Sequence, residues 1–394
     1  VPNLRFPEFE GEWEESTIGK QFELYSGNTP TRINKELFNG TINWISSGEL
    51  KEHYIYSTKE RISQEAANNL KLLSVGTFVI AIYGLEAEGV RGTGSITQEP
   101  STISQACMAF TPKGEITNEF LYSWYKKHGN VIGVKYAQGT KQQNLSYDIL
   151  EKFKISYPNV MEQDKLNLFF SLIDKRISTQ NKIIEDLKKL KYAISKYLFE
   201  RKDLFENKIK LSKVAELKNG YAFQSSKYNA LGKWKILTIA NVAGERYVKT
   251  NECNCIIEIP YDIQKHQKLE ANDILISLTG NVGRVSLCTE GLFLLNQRVG
   301  LLQLKVSEDR EYIYQALSSH KFENSMIACA QGAAQMNIGK GDVENYILPY
   351  SFNKENINSV ASVLKNYDKY IINEINMLSM LHSQKQYLLR QMFI

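Results

Sequence analysis

The chain repeats itself at a period of about half its length, and a repeat of that size constrains the fold before any local propensity is weighed. Ala137-Gln138-Gly139-Thr140-Lys141-Gln142-Gln143-Asn144-Leu145 returns as Ala330-Gln331-Gly332-Ala333-Ala334-Gln335-Met336-Asn337-Ile338. Glu23-Leu24-Tyr25-Ser26-Gly27 is answered by Glu216-Leu217-Lys218-Asn219-Gly220 at the same offset of 193. Between these, Val75-Gly76-Thr77-Phe78-Val79-Ile80-Ala81-Ile82-Tyr83-Gly84 is answered by Ala271-Asn272-Asp273-Ile274-Leu275-Ile276-Ser277-Leu278-Thr279-Gly280. One matching block is within the reach of chance. Several in one order mark two copies of one unit.

Each copy has two parts. The first, residues 12–158 and 208–349, is rich in β-branched and aromatic runs broken by Gly and Asn, which predicts short strands. Expected strands are Thr41–Ser46, Phe78–Tyr83 and Phe153–Tyr157, then Lys235–Ile239, Ile274–Leu278 and Val299–Val306. Thr117–Lys127 and Glu311–Ser319 read as helices among them, so each such part is a mixed α/β domain.

The second part of each copy is a long helix. Leu166, Phe170, Ile173, Ile177, Gln180, Ile184, Leu187, Lys191, Ile194 and Leu198 are spaced alternately by four and three. The same register in the second copy gives Val360, Leu364, Tyr367, Ile371, Glu374, Leu378, Leu381, Lys385, Leu388 and Met392. Eight of ten positions are apolar in each, and the polar breaks coincide: Gln180 with Glu374, Lys191 with Lys385. Neither span contains proline or glycine. A sustained stripe of this period predicts a coiled-coil seam, with Ile177, Ile184, Leu187, Ile371, Leu378 and Leu381 at its centre. The predicted organisation is a domain over residues 1–160, a spacer helix over 161–205, a second domain over 206–350 and a second helix over 351–394.

About 40 helical residues extend roughly 60 Å at 1.5 Å per residue. Two such helices in one chain pair most simply antiparallel, generating a pseudo-two-fold axis with the two α/β domains held apart. Two similar heads on a stiff spacer suit a rod-like partner such as duplex DNA, whose half-sites would be set by the spacer. They suit equally a coiled-coil adaptor that binds proteins at both ends, and geometry alone leaves both readings open.

Composition narrows the classes without choosing between them. The net charge of +5 divides as −2, +3, +2 and +2 over the four segments, so charge by itself does not argue for a phosphate-bound partner. The longest apolar run, Val75 to Leu85, is too short to span a bilayer, and the N-terminal residues have no apolar signal core, so a cytoplasmic protein is expected. Cys107, Cys253, Cys255, Cys288 and Cys329 are odd in number and lack a Cys-x-x-Cys spacing, and free thiols are expected. None of the eight prolines adjoins another, so the Asn/Asp-Pro-Pro-aromatic loop of adenine amino-methyltransferases is not in this chain. No Gly-x-x-x-x-Gly-Lys-Ser/Thr phosphate loop occurs, and the five histidines have no metal-ligand spacing. No catalytic residue and no metal site is expected.

Further motifs recur in order: Ser26-Gly27-Asn28-Thr29-Pro30 and Asn219-Gly220-Tyr221-Ala222-Phe223 early in each copy, and Ser277-Leu278-Thr279-Gly280-Asn281-Val282-Gly283-Arg284-Val285 in the second. Leu172-Ile173-Asp174-Lys175-Arg176-Ile177 and Asn366-Tyr367-Asp368-Lys369-Tyr370-Ile371 lead into the helical stripes. With the Gly139–Leu145 block, these make the whole chain resemble the specificity subunits of type I restriction-modification systems. The resemblance implies that each domain reads one half of a bipartite DNA target, that the coiled coil sets the gap, and that two methylation subunits dock on the helices. It implies further that S-adenosylmethionine, ATP and magnesium belong to partner methylation and motor-nuclease subunits, with no cofactor on this chain.

Base reading requires Arg or Lys for guanine, Asn or Gln for adenine and small or apolar groups for thymine methyls, presented on loops. The expected readers are Asn28, Thr31, Arg32, Arg91, Thr93, Lys141 and Gln142 in the first domain. In the second they are Tyr221, Ser225, Lys227, Thr279, Asn281, Arg284 and Gln335. Gly84–Gly94 replaces the compact second-copy loop Gly280–Arg284 with an acidic insertion, so the readers there are open. Asn144 and Asn337 match across copies and suit a shared turn, and Gln297 and Arg298 suit framework. Lys182, Lys188 and Lys189 mark the exposed helix face expected to dock partners.

Overall fold

The β-branched and aromatic runs do form strands, and the strands are short because glycine, asparagine or a turn interrupts each. The structure, a computed structural model of the chain, describes residues 1–87, 89–139, 143–305, 309–331 and 336–394. Its contacts group the chain into two units, Val1–Asn181 with Met377–Ile394, and Lys182–Asn376.

In the first unit a five-stranded sheet runs in the order Phe22–Ser26, Cys107–Pro112, Phe78–Ala81, Gly94–Thr97, Tyr54–Ile55. A three-stranded sheet places Ile42–Ile45 between Arg61–Ile62 and Ser101–Ile103, antiparallel to the former and parallel to the latter. Glu14–Thr17 and Lys154–Tyr157 close the unit as an antiparallel pair.

The second unit repeats this plan. Its first sheet runs Ala215–Asn219, Val299–Leu304, Ile274–Ser277, Val285–Leu287. In its second sheet Trp234–Leu237 again lies antiparallel to one neighbour, Asn254–Ile256, and parallel to another, Phe293–Leu295. Asn207–Lys210 pairs with Ile347–Tyr350 as the closing ribbon. Strand limits agree with the sequence within two residues where they can be compared, and Val306 lies outside the described residues.

One face of each larger sheet is covered by helix. Asn118–Tyr136 buries Phe120, Leu121, Tyr122, Trp124 and Tyr125, and its first turn is capped by Thr117, whose hydroxyl accepts from the Phe120 amide. It runs nine residues beyond the predicted Lys127, because Ile132 and Gly133 remain buried. In the second unit Arg310–Leu317 and His320–Ala330 take this role, with Ser319 capping the latter.

Two long helices, Val160–Glu200 and Lys354–Met392, supply residues to both units. In the first unit Leu166 and Phe170 share a core with Leu389, Met392 and Phe393. In the second, Ile194 and Leu198 pack with Ile357, Val360 and Leu364. Within each unit the two helical segments therefore run antiparallel. None of the twenty stripe positions is exposed: Ile177, Ile184, Ile371 and Leu381 are buried, and Leu187 and Leu378 half-buried.

Candidate nucleic-acid interface

The polar loops at one end of the second unit are sewn together by backbone. The strand Phe293–Leu295 turns through 296–298 into Val299–Leu304, and that turn is bonded on both sides. Tyr221 donates to the Leu295 carbonyl (2.8 Å), Gln297 donates to that of Tyr221 (2.9 Å), and Leu278 donates to that of Arg298 (3.0 Å). Gly280 in turn donates to Met336, and Ile338 to Leu278. The loops around 221, 280 and 297 are thereby fixed side by side. The shared glycine of the Asn219-Gly220 motif has a physical reason: a Cβ on Gly220 would collide with the Asn296 carbonyl.

The first unit is sewn in the same way. Asn28 donates to the Ile103 carbonyl (3.1 Å), Ile82 to that of Ala106 (2.9 Å), and Leu145 to that of Ile82 (2.9 Å). A Cβ on Gly27 would meet the Ile103 carbonyl, as at Gly220. Asn144 and Asn337 bridge to Tyr83 and Thr279 through their backbones, the shared structural turn that their match suggested.

On this scaffold the expected readers divide into exposed and committed side chains. Asn28, Thr31 and Arg32 are exposed; Asn28 caps the Thr29 amide, and Arg32 pairs with Glu60 while lying 4.2 Å over the Phe38 ring. Arg91 is turned into its own loop, donating to the carbonyls of Leu85 and Glu86, and Thr93 donates to that of Val90. Ser225, Lys227 and Asn281 are exposed, and Tyr221 is half-buried with its hydroxyl donating to Asp262. Arg284 pairs with Glu323 at 3.5 Å. The Thr279 hydroxyl is buried without a hydrogen-bond partner. Lys141, Gln142 and Gln335 lie outside the described residues.

Sequence reasoning assigned Gln297 and Arg298, in the 296–298 turn, to framework and did not consider the matching 104–106 turn. Gln297 and Arg298 are exposed, and Gln105 occupies the corresponding turn of the first unit. Each turn stands between two buried strands, so its tip is where a polar side chain reaches solvent.

In each unit a buried histidine or arginine side chain ties the β-rich head to the long-helix segments of that unit. In the first unit this is His53, whose carbonyl accepts from Ile96 (2.8 Å); in the second it is Arg246, whose carbonyl accepts from Leu287 (2.7 Å). His53 lies flat between Tyr54 and Tyr122, both at 4.0 Å. Its Nε2 is 2.8 Å from Glu119 and its Nδ1 3.1 Å from Asp174 of the first long helix. Asp174 also receives Lys385 of the second long helix at 2.5 Å. Burial pushes the His53 imidazole down, but the carboxylates of Asp174 and Glu119 outweigh it and hold it above its ordinary value. Arg246 is flanked by Tyr247 and Tyr314 and donates to Glu311 (2.7 and 2.8 Å) and Asp368 (2.9 Å). Asp368, on the second long helix, also receives Lys191 of the first at 2.6 Å. The two lysines that interrupted the apolar stripes are thus partners of the two aspartates.

The second unit also contains a cavity of about 890 Å3 beside the first long helix, lined by Lys188, Tyr192, Lys196, Phe199, Ile371 and Lys321 among others. Among the described residues no group of His, Cys, Asp and Glu could hold a metal ion, and no helix is long and apolar enough to cross a membrane.

The family model of the type I restriction modification DNA specificity domain matches residues 10–189 and again 205–377. The specificity subunit of the type I restriction enzyme EcoR124I/EcoR124II of Escherichia coli is 28% identical over 208 residues, 51% of this chain. The MjaVIII specificity subunit of Methanocaldococcus jannaschii is 25% identical over 403 residues, 93% of this chain. The match spans half the length of the first of these relatives and 88% of the second. The crystal structure of a type I restriction-modification S subunit from M. genitalium has the same fold, with a TM-score of 0.57 at 17% identity over 100% of this chain and 99% of that one. A chain solved in work on complex assembly and conformational transition of the type I R-M system gives 0.58 at 15% identity over 97% of both.

Proposed function

The chain belongs to the type I restriction modification DNA specificity family, and on that premise we propose that it is the subunit that reads a bipartite DNA target, one half-site per unit. The observation that carries this reading is the pair of loop clusters. One strand order is used twice, and exposed tips set on it differ: Asn28 and Arg32 in one unit, Lys227, Asn281 and Arg298 in the other, with Ala106 standing where Arg298 stands. A shared scaffold with unlike polar tips suits the reading of two unlike half-sites. Arg298 has the paired donors that suit guanine.

The long helices, paired as an antiparallel coiled coil in a pseudo-two-fold repeat, set the unspecified gap between half-sites. Methylation subunits dock on their exposed faces. Lys182, Lys188 and Lys189 are exposed, and Lys188 borders the cavity beside the helix. The chain itself carries no catalysis. S-adenosylmethionine, ATP and magnesium act on the partner methylation and motor-nuclease subunits in the cytoplasm. Co-expression with a methylation subunit in a host lacking adenine methylation, followed by single-molecule mapping of N6-methyladenine, tests this. A split motif around a fixed gap supports the reading; a well-assembled complex that methylates nothing overturns it in favour of a protein adaptor.

A further inference from the structure

The two buried cation clusters occupy the same place in the repeat and differ in one chemically decisive respect. Each consists of a cation from the head, sandwiched by two tyrosines, a glutamate from the helix that covers the sheet, and an aspartate–lysine pair from the two long helices. Each balances two positive against two negative charges when its cation is protonated. The cation is histidine in one unit and arginine in the other. Arginine is charged throughout the accessible pH range, whereas histidine gains and loses its proton near neutrality.

We propose that His53 and Arg246 are equivalent positioning residues that pin each β-rich head to its long-helix segments, and that only the His53 pin is pH-dependent. The geometry explains why the neutral imidazole pins poorly. A neutral ring has one N–H, so it can donate to Glu119 or to Asp174 but not to both. The Nδ1 contact with Asp174 has ion-pair distance without a well-aligned hydrogen bond, so charge holds it, and it is the contact that deprotonation removes. Arg246 keeps both of its carboxylates at any such pH, and Gln315 adds donors to Glu311 (2.8 Å) and Asp368 (2.7 Å). In the first unit the residue after the sandwiching tyrosine is Ser123, which has no such reach.

The groups facing His53 are Tyr54 and Glu52 from the head and Glu119, Tyr122 and Lys126 from the covering helix. Asp174 and Lys385 face it from the long helices. Lys126 lies 5.2 Å over the Tyr122 ring and is held down to about 8 by burial and by Lys385. Loss of the His53 proton removes one of the two positive charges and leaves the Glu119, Asp174 and Lys385 group with net negative charge, and the first head loosens on its helices while the second does not. For DNA reading, this means that half-site recognition by the first unit weakens as pH rises; that consequence, unlike the pin itself, rests on the specificity reading.

The test uses the full chain without DNA. Imidazole nitrogen shifts of 15N-histidine-labelled protein, assigned with His53→Gln, report the His53 proton directly. Hydrogen-exchange protection factors from pH 6 to 8.5 report the pins at residues 52–56 and 172–176, and at 245–249 and 366–370. We expect His53 to titrate above its ordinary value and protection of the first pair of segments to fall about tenfold with it, while the second pair holds. His53→Gln has low protection at every pH, and His53→Arg removes the pH slope. A His53 that titrates at or below the ordinary value, or equal pH slopes in the two units, overturns the proposal. Because no DNA is present, such a result leaves the specificity reading standing, and a failed methylome leaves the pin standing.

Discussion

The two units share a strand order and differ in residues set at exposed turn tips and at one buried charged position. Gly27 and Gly220, Asn144 and Asn337, Asp174 and Asp368 are common to both because each solves a backbone or charge problem that the scaffold itself creates. Ala106 against Arg298, and His53 against Arg246, differ because the scaffold leaves these positions to other demands. In a duplicated protein, the shared positions define the frame and the divergent ones mark where function is adjusted.

The comparison breaks hardest at the buried cations. Arg246→Ala leaves Glu311 and Asp368 facing each other without their guanidinium, and breaking a buried pair from one side costs about 3–5 kcal/mol. Urea unfolding followed by Trp234, the tryptophan of the second unit, measures it. A loss confined to the first unit would show that the second is held elsewhere.

Gly27→Ala and Gly220→Ala sharpen the shared part of the comparison. Each drives a Cβ onto a backbone carbonyl that cannot swing away, so both should cost about 1–3 kcal/mol and by similar amounts. Unequal costs in thermal unfolding would mean that the two loop clusters are less alike than their hydrogen bonds.

Arg298→Ala addresses the divergent part. The side chain is exposed, so stability should change by no more than about 0.5 kcal/mol. Its half-site preference should relax by about 1–3 kcal/mol, read as degeneracy at one position of the methylated motif. The half-site of the first unit should stay unchanged.

The pH dependence has a definite sign. The His53 folded-state value is raised, so its contribution is complete below about pH 6.5, the unfolded value, and is lost as pH rises through the folded value. Lys126 acts oppositely: its penalty is complete below about 8 and is relieved above it. A stability profile of the first unit should therefore fall above pH 6.5, with the relief of Lys126 opposing the fall above about 8, and His53→Gln should abolish the fall. The smallest expected effect is that of Lys227→Ala, which should weaken DNA binding without altering the motif and reduce the salt slope by about 1.

The repeat, the mixed α/β class, the strand positions and both long helices were legible because periodicity and β-branched runs are local in the sequence. The lysines at 191 and 385 were legible as anomalies in an apolar stripe, but not as partners of aspartates 177 and 211 residues away. Exposure was the other thing hidden. The sequence suggested Arg91 as a reader and Arg298 as framework, yet Arg91 spends its guanidinium on carbonyls of its own loop and Arg298 is exposed in a turn.

By itself, then, the sequence determined that one unit occurs twice and which residues line the helical stripes, since a periodic pattern needs only neighbours along the chain. Only the tertiary structure decided which segments of each long helix belong with which head, and that His53 and Arg246 are counterparts. Their partners come from distant segments, and a buried charge can be understood only when everything around it is in place.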